Sequence, residues 1–245
     1  MIKNIKLKIE YDGTNYAGWQ RQINANTVQL TLEKAIGKVV NEDVNLIGVS
    51  RTDTGVHAKE YIANFSTNST IPAKKMMHVI NNHLPGDIAI LSSEQVEPDF
   101  HSRYSSKGKI YSYTINNRQE KVALNRAYAY HYKYPLNIEL MKEASKYFLG
   151  EHDFSSFRNK GSHVVKTVKN IYQLDILKQE DNVIIYVYGD GFLYNMVRIM
   201  VGTLIDVGRE RIKPDRIKDI LLAKDRKCAS KTAPSSGLCL EKVFY

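Results

Sequence analysis

Ile5, Leu7, Ile9 and Tyr11 alternate with polar neighbours at the start of the chain, the period of a strand with one buried face. Over 26–40 the period lengthens. Val28, Leu32, Ala35, Ile36, Val39 and Val40 share one helical face, with Asn26 expected as the N-cap. Strands are expected over 44–50 and 59–66. A second helix is expected from near Pro72, a residue suited to the first helical turn, to about His83. Leu84-Pro85-Gly86-Asp87 stops it, and 88–96 reads as a strand. The order β-α-β-β-α-β is the plan of a ferredoxin-like unit. The second half repeats that order approximately, without repeating the sequence. Strands are expected over 109–116, 168–178, 182–189 and 237–245, and helices over 137–149, over the apolar stretch 193–208 and from Pro214 onward. The pattern predicts an α+β fold of two ferredoxin-like halves, residues 1–104 and 105–245, joined through a mostly antiparallel sheet with a central cleft.

Composition is that of an ordinary globular protein, with 43% hydrophobic and 25% charged residues in 245. No apolar run approaches the roughly 18 residues of a membrane span. The N-terminus, MIKNIKLKIEYDG, lacks the apolar core of a signal peptide. Two cysteines, Cys228 and Cys239, offer neither a disulfide framework nor metal-ligand spacing. The chain therefore reads as a soluble, cytoplasmic protein without a metal. Charge adds a partner class. Lysine and arginine number 35 against 26 acidic residues, a net charge of +9, which favours a polyanion. Sixteen tyrosines, most of them expected on half-buried strands, include rings that can stack on unpaired bases.

The stretch GVSRTDTGVHA, residues 48–58, leaves an apolar strand and sets Arg51, Asp53 and His57 around a turn with Gly55. A carboxylate beside a guanidinium on an anchored turn stays ionised and oriented, which suits a nucleophile or base. The bland alternative is a surface turn in which Asp53 caps its own backbone and Gly55 supplies a positive φ. Asp53-Thr54-Gly55 also spells the core of an aspartic protease. That chemistry needs two carboxylates in an all-β protein, and the chain has several helices and no second Asp-Thr-Gly or Asp-Ser-Gly.

The motif resembles the catalytic segment of the TruA family of tRNA pseudouridine synthases, with its Arg-Thr-Asp-x-Gly-Val-His core. Further blocks resemble the same family in order. They are IEYDGTNYAGWQRQ at 9–22, Asn82 with LPGDI at 84–88, FHSRY at 100–104, YSY at 111–113, LGEHDF at 149–154 with SFR at 156–158, and FLYNMVR at 192–198 with VGTL at 201–204. Departures occur at Val49-Ser50, at Thr54 and at Lys107-Gly108-Lys109-Ile110; none removes a group the chemistry needs. The resemblance implies a pseudouridine synthase fold and an enzyme that isomerises uridine to pseudouridine in the anticodon stem-loop, at tRNA positions 38, 39 and 40. It implies Asp53 as the catalytic carboxylate and Tyr111 as a stacking platform for the target base. Arg198 would pair with Asp53, and Arg51 would hold the RNA out of its stack. It implies a homodimer binding tRNA, with no cofactor and no metal. His57 reads as structural or RNA-facing, and Trp19 and Arg21 as residues that order their loop or touch RNA. The rival readings are a synthase acting on another RNA, such as ribosomal RNA, and a binding module without activity, against which the retained Asp53 argues.

Overall fold

The computed structural model describes residues 2–159, 161 and 166–245. The chain packs as two units, one comprising residues through Lys107 with Cys239–Tyr245, the other Gly108–Leu238.

In the first unit, β1 (Lys3–Tyr11) buries Ile5, Leu7 and Ile9 completely, while Lys6 and Lys8 on its other face pair with Glu94 at 2.6 Å and Glu60 at 3.3 Å. The helix α1 (Val28–Val40) follows, then a two-residue β2 (Ile47–Gly48), β3 (His57–Thr67), α2 (Ala73–Asn81) and β4 (Ile88–Val96). β1 lies between β3 and β4, antiparallel to both, with Leu7 opposite Ala63 and Ser93; β2 runs antiparallel to β3. The order β4-β1-β3-β2 is that of the expected βαββαβ plan. α1 presses Val28, Leu32, Ala35 and Ile36 into the core, and α2 contributes Met76 and Ile80.

Two local expectations are corrected. Thr27, not Asn26, caps α1, its side-chain oxygen accepting from Leu30 N. The strand expected over 44–50 shrinks to Ile47–Gly48. The cause is visible at Leu46, whose N–H donates to Glu33 Oε1 at 3.0 Å and whose carbonyl accepts from Gln29 Nε2 at 2.9 Å. Helix side chains take the peptide groups that a sheet ladder would use.

In the second unit, β5 (Gly108–Asn116), β8 (Val168–Gln179) and β9 (Asn182–Gly189) form an antiparallel sheet in the order β5-β9-β8, extended by β7 (Gly150–Asp153). A short β6 (Tyr130–His131) runs parallel to the end of β5. The helices are α3 (Ile138–Ser145), α4 (Met196–Gly208) and α5 (Arg216–Ala223). α3 ends earlier than expected, passing into a tighter 3-10 turn over Lys146–Phe148 that buries Phe148 against Phe157. α4 begins three residues late because Asn195 adopts the left-handed conformation, φ 61°. The last strand, β10 (Leu238–Phe244), completes the second βαββαβ in sequence order, yet Cys239 and Leu240 pair in parallel with His57 and Ala58 of β3. Apart from β6 and β10, the strand pairs named here are antiparallel, and the fold is α+β.

Candidate active site

Asp53 sits on the turn that leads into β3, half-buried, between exposed Arg51 and exposed Thr54. Backbone hydrogen bonds hold the turn in place. Val56 N donates to Asp53 O at 3.2 Å, and Gly55, with φ 76°, donates to Tyr16 O at 3.3 Å. A second loop, residues 12–20, packs behind this turn. Trp19 N donates to Thr52 O at 3.1 Å, and Tyr11 Oη lies 2.9 Å from Thr52 Oγ1.

Two glycines make that approach possible. A Cβ on Gly18 would stand 2.4 Å from Thr52 O and 3.1 Å from the Asp53 carbonyl carbon, and Gly18 has φ +90°, where L side chains are strained. A Cβ on Gly13 would stand 2.0 Å from Val56 O. Aromatic packing closes the back of the turn. Trp19 stacks on Tyr61 at 3.9 Å between centroids, Tyr11 tilts against both rings, and the Tyr61 hydroxyl donates to Ser50 O. Such contacts contribute about 0.5–1.5 kcal/mol each beyond the area they bury. A buried Trp19 orders its loop; the choice left open by the sequence falls on the structural side.

His57 is also buried, and its Nδ1 lies 3.1 Å from Gly13 N and 3.0 Å from Asp12 Oδ1. It therefore fastens the 12–14 turn to the start of β3. Asp12 in turn accepts from Thr14 N at 2.9 Å. Tyr16 donates to Asp87 at 2.6 Å; burial first, then the Asp87 carboxylate, push this phenol well above its ordinary range and keep it a donor.

In the second unit, Tyr111 lies on β5 opposite Val187, only 7% exposed, with its ring edge-on to Phe192 at 5.2 Å. Arg198 occupies the first turn of α4, where Nε donates to Ala233 O at 2.8 Å and Nη1 to Asn195 Oδ1 at 2.8 Å. Ala233 N returns a bond to Arg198 O at 3.1 Å. Gly202 admits this crossing segment, since a Cβ there would lie 1.9 Å from Lys231 O. The guanidinium is thus held by the Ala233 carbonyl and the Asn195 side chain rather than left to snorkel. The neighbouring HDFSSF block, 152–157, is core: Phe154 and Phe157 are fully buried and Ser156 donates to Ile220 O at 2.5 Å. The structure thus places Asp53 and Arg51 on one turn of the first unit, and Tyr111 and Arg198 on separate elements of the second.

Sequence reading missed Gln29 and Glu33, which interrupt the apolar face of α1 one turn apart and are both buried. The detectable signal was two polar residues at i and i+4 on the face that carries Val28 and Leu32. Among the described residues no group of three His, Cys, Asp or Glu side chains is arranged to hold a metal ion, and no helix is long and apolar enough to cross a membrane.

A half-exposed carboxylate on a turn whose backbone is held by two glycine contacts is both reachable and already oriented. The particular class follows from relatives. Residues 8–105 and 144–245 match the family described as tRNA pseudouridine synthase, and the chain belongs to that family. It is an isomerase that converts uridine of tRNA to pseudouridine. It is 55% identical over 244 residues to the tRNA pseudouridine synthase A of Clostridium acetobutylicum and 54% identical to tRNA pseudouridine synthase A 2 of Clostridium perfringens, with both chains covered completely in each case. The Thermoanaerobacter sp. enzyme named tRNA pseudouridine synthase A is 52% identical, again over the full length of both.

Proposed function

We propose that this chain isomerises uridines 38, 39 and 40 of the tRNA anticodon stem-loop, with Asp53 as the nucleophile. The observation that carries the reading is the construction of the Asp53 turn: its carboxylate is half-exposed while the backbone beneath it is closed by Gly13, Gly18 and the Tyr11–Trp19–Tyr61 cluster. A surface turn capped by its own aspartate needs none of that support.

Isomerisation breaks the bond from ribose C1′ to N1 of uracil and forms one from C1′ to C5, so the base must detach, turn and rejoin without escaping. In this reading the Asp53 carboxylate bonds covalently to the target nucleotide and leaves when the carbon–carbon bond is made; the proton displaced from C5 passes to solvent. Tyr111 offers a ring face on which the uracil can turn, a role that favours an aromatic over a hydrogen-bonding side chain. Arg198 helps bind the substrate, and Arg51, exposed beside Asp53, meets the phosphates of the splayed-out strand. The rejoining needs no redox step and no metal. The chain acts as a homodimer in the cytoplasm; sedimentation giving twice the 28.0 kDa chain mass would support the first of these, and a monomeric mass in the presence of tRNA would overturn it.

Tritium release from uridine labelled at carbon 5 tests the central claim, because that hydrogen leaves only when carbon 5 becomes the glycosidic carbon. Asp53→Asn keeps the shape of the side chain and removes the nucleophile, so release should fall more than about a thousandfold while folding and tRNA binding persist. Asp12→Asn, on the glycine-containing turn behind it, should be far milder. Substantial release by Asp53→Asn protein free of wild type would refute the assignment.

A further inference from the structure

Gln29 and Glu33 are buried polar side chains on successive turns of α1, 6% and 7% exposed. A buried carboxylate is costly unless its partners are good, and an apolar pair of similar volume would serve the core as well. Here every oxygen of the pair is committed to a segment flanking the Asp53 turn. Glu33 Oε2 accepts from Arg21 Nη1 at 3.1 Å, and Glu33 Oε1 accepts from Leu46 N at 3.0 Å. Gln29 Oε1 accepts from Arg21 N at 2.9 Å, while Gln29 Nε2 donates to Leu46 O at 2.9 Å and to Glu33 Oε1 at 3.2 Å.

The helix start adds two backbone bonds to the same loop, Val28 N to Gly18 O at 3.2 Å and Gln29 N to Trp19 O at 3.1 Å. From there the path to Asp53 is one contact long. Trp19 N donates to Thr52 O, and Gly18 touches the Thr52–Asp53 peptide with no room for a Cβ. The other braced segment, from Leu46, runs through Gly48, packed under Trp19 and Tyr61, into residues 49–52.

We propose that Glu33 and Gln29 are positioning residues for the reaction: with Arg21 they brace residues 18–21 and Leu46 against α1, and so fix the backbone that presents Asp53. The inference rests on Asp53 being the nucleophile. Glu33 is too deeply buried to meet RNA, so its effect belongs to the chemical step. A displacement of about 1 Å in a reacting group costs on the order of a hundredfold in rate.

The test measures tritium release at saturating tRNA, tRNA affinity, thermal midpoint and the emission of Trp19, the chain's one tryptophan and a member of the braced loop. Glu33→Gln keeps the volume and an acceptor for Leu46 N but loses the charge that holds Arg21. It should lower the saturating rate by roughly ten- to a hundredfold and shift Trp19 emission, with tRNA affinity held within about twofold. Arg21→Met should do the same, and the double variant should be no slower than Glu33→Gln by more than about twofold, because both break one contact. A wild-type saturating rate for Glu33→Gln, a loss confined to affinity, or losses that multiply in the double variant would each overturn the proposal. If Glu33→Gln does not fold, Arg21→Met, altered at a half-exposed side chain, decides by the same criteria. Asp53→Asn runs alongside. An inactive Asp53→Asn beside a fully active Glu33→Gln overturns the brace alone, whereas an active Asp53→Asn overturns the nucleophile and the catalytic role of the brace with it.

Discussion

Gly18 shows how a single residue governs the presentation of Asp53. Its φ of +90° is strained for any L side chain, and its missing Cβ is replaced by the Thr52 carbonyl, a backbone group that cannot rotate away. Gly18→Ala should therefore cost about 2 kcal/mol or more in urea unfolding, from strain and overpacking together. The same change at Gly86, where nothing lies within 4 Å of the added carbon and φ is not positive, should be near neutral. Equal losses at the two positions would show that the loop contact has no energetic weight. Tyr111 poses a different residue-scale question, because its ring is nearly buried and meets Phe192 edge-on. Tyr111→Phe retains both the packing edge and the stacking face and should bind tRNA almost normally. Tyr111→Ala should lose roughly 1–3 kcal/mol of stacking in RNA affinity. It also opens a cavity costing about 3–5 kcal/mol of fold stability, so affinity has to be measured below its unfolding transition. A folded Tyr111→Ala protein with wild-type affinity and turnover would remove the base-stacking role.

At the scale of elements, the periodic parts of the fold were legible and the contacts between loops were not. β1 and β9 lie where strands were expected, because each buries largely alternate side chains and the period is written in consecutive residues. The strand at 44–50 read just as well by sequence, yet both peptide groups of Leu46 go to Gln29 and Glu33, long-range partners that no local period reports. Thr27 and Asn26 are both good caps, and only the start of the helical dihedrals separates them. Of the candidate site, Asp53 and its glycine turn could be read from the motif; the backing loop at 12–20 could be read as a block but not as the wall behind Asp53. β7 was missed because GEHD has no apolar alternation. Its terminal Asp153 supplies an element-scale prediction. Burial raises the Asp153 pKa, but hydrogen bonds from the Ser155 and Thr167 side chains, Ser155 N and Lys224 outweigh it and leave the carboxyl at about 2, below its ordinary 3.8. A carboxylate with a depressed folded pKa stabilises the fold above its unfolded value and loses that contribution as pH falls through the folded one. Asp153→Asn should thus lower the thermal midpoint at neutral pH, and the gap from wild type should close between pH 3.8 and about 2. A gap independent of pH would mean that Asp153 acts through shape rather than charge.

For the whole molecule the governing quantity is the net charge of +9, which favours a polyanionic partner. Each phosphate neutralised by lysine or arginine releases condensed counterions, so the logarithm of the binding constant falls linearly with the logarithm of salt. Contact with about six phosphates would weaken tRNA binding on the order of a thousandfold between about 50 and 200 mM salt. The same titration separates binding from chemistry. Asp53→Asn removes one negative charge that the proposed site turns toward the RNA, so its affinity should equal or exceed that of wild type at every salt concentration. Its slope should be unchanged, because no cation has been lost. Arg51→Ala removes a proposed phosphate contact and should reduce the slope by about one unit while leaving the saturated rate of isomerisation within a few-fold. Filter binding across a salt series, with tritium release measured on the same preparations, gives both numbers. Affinity unmoved by salt would show that the positive charge has no part in holding tRNA. An Arg51→Ala protein with wild-type slope and a collapsed rate would instead move Arg51 from the phosphates to the reacting nucleotide.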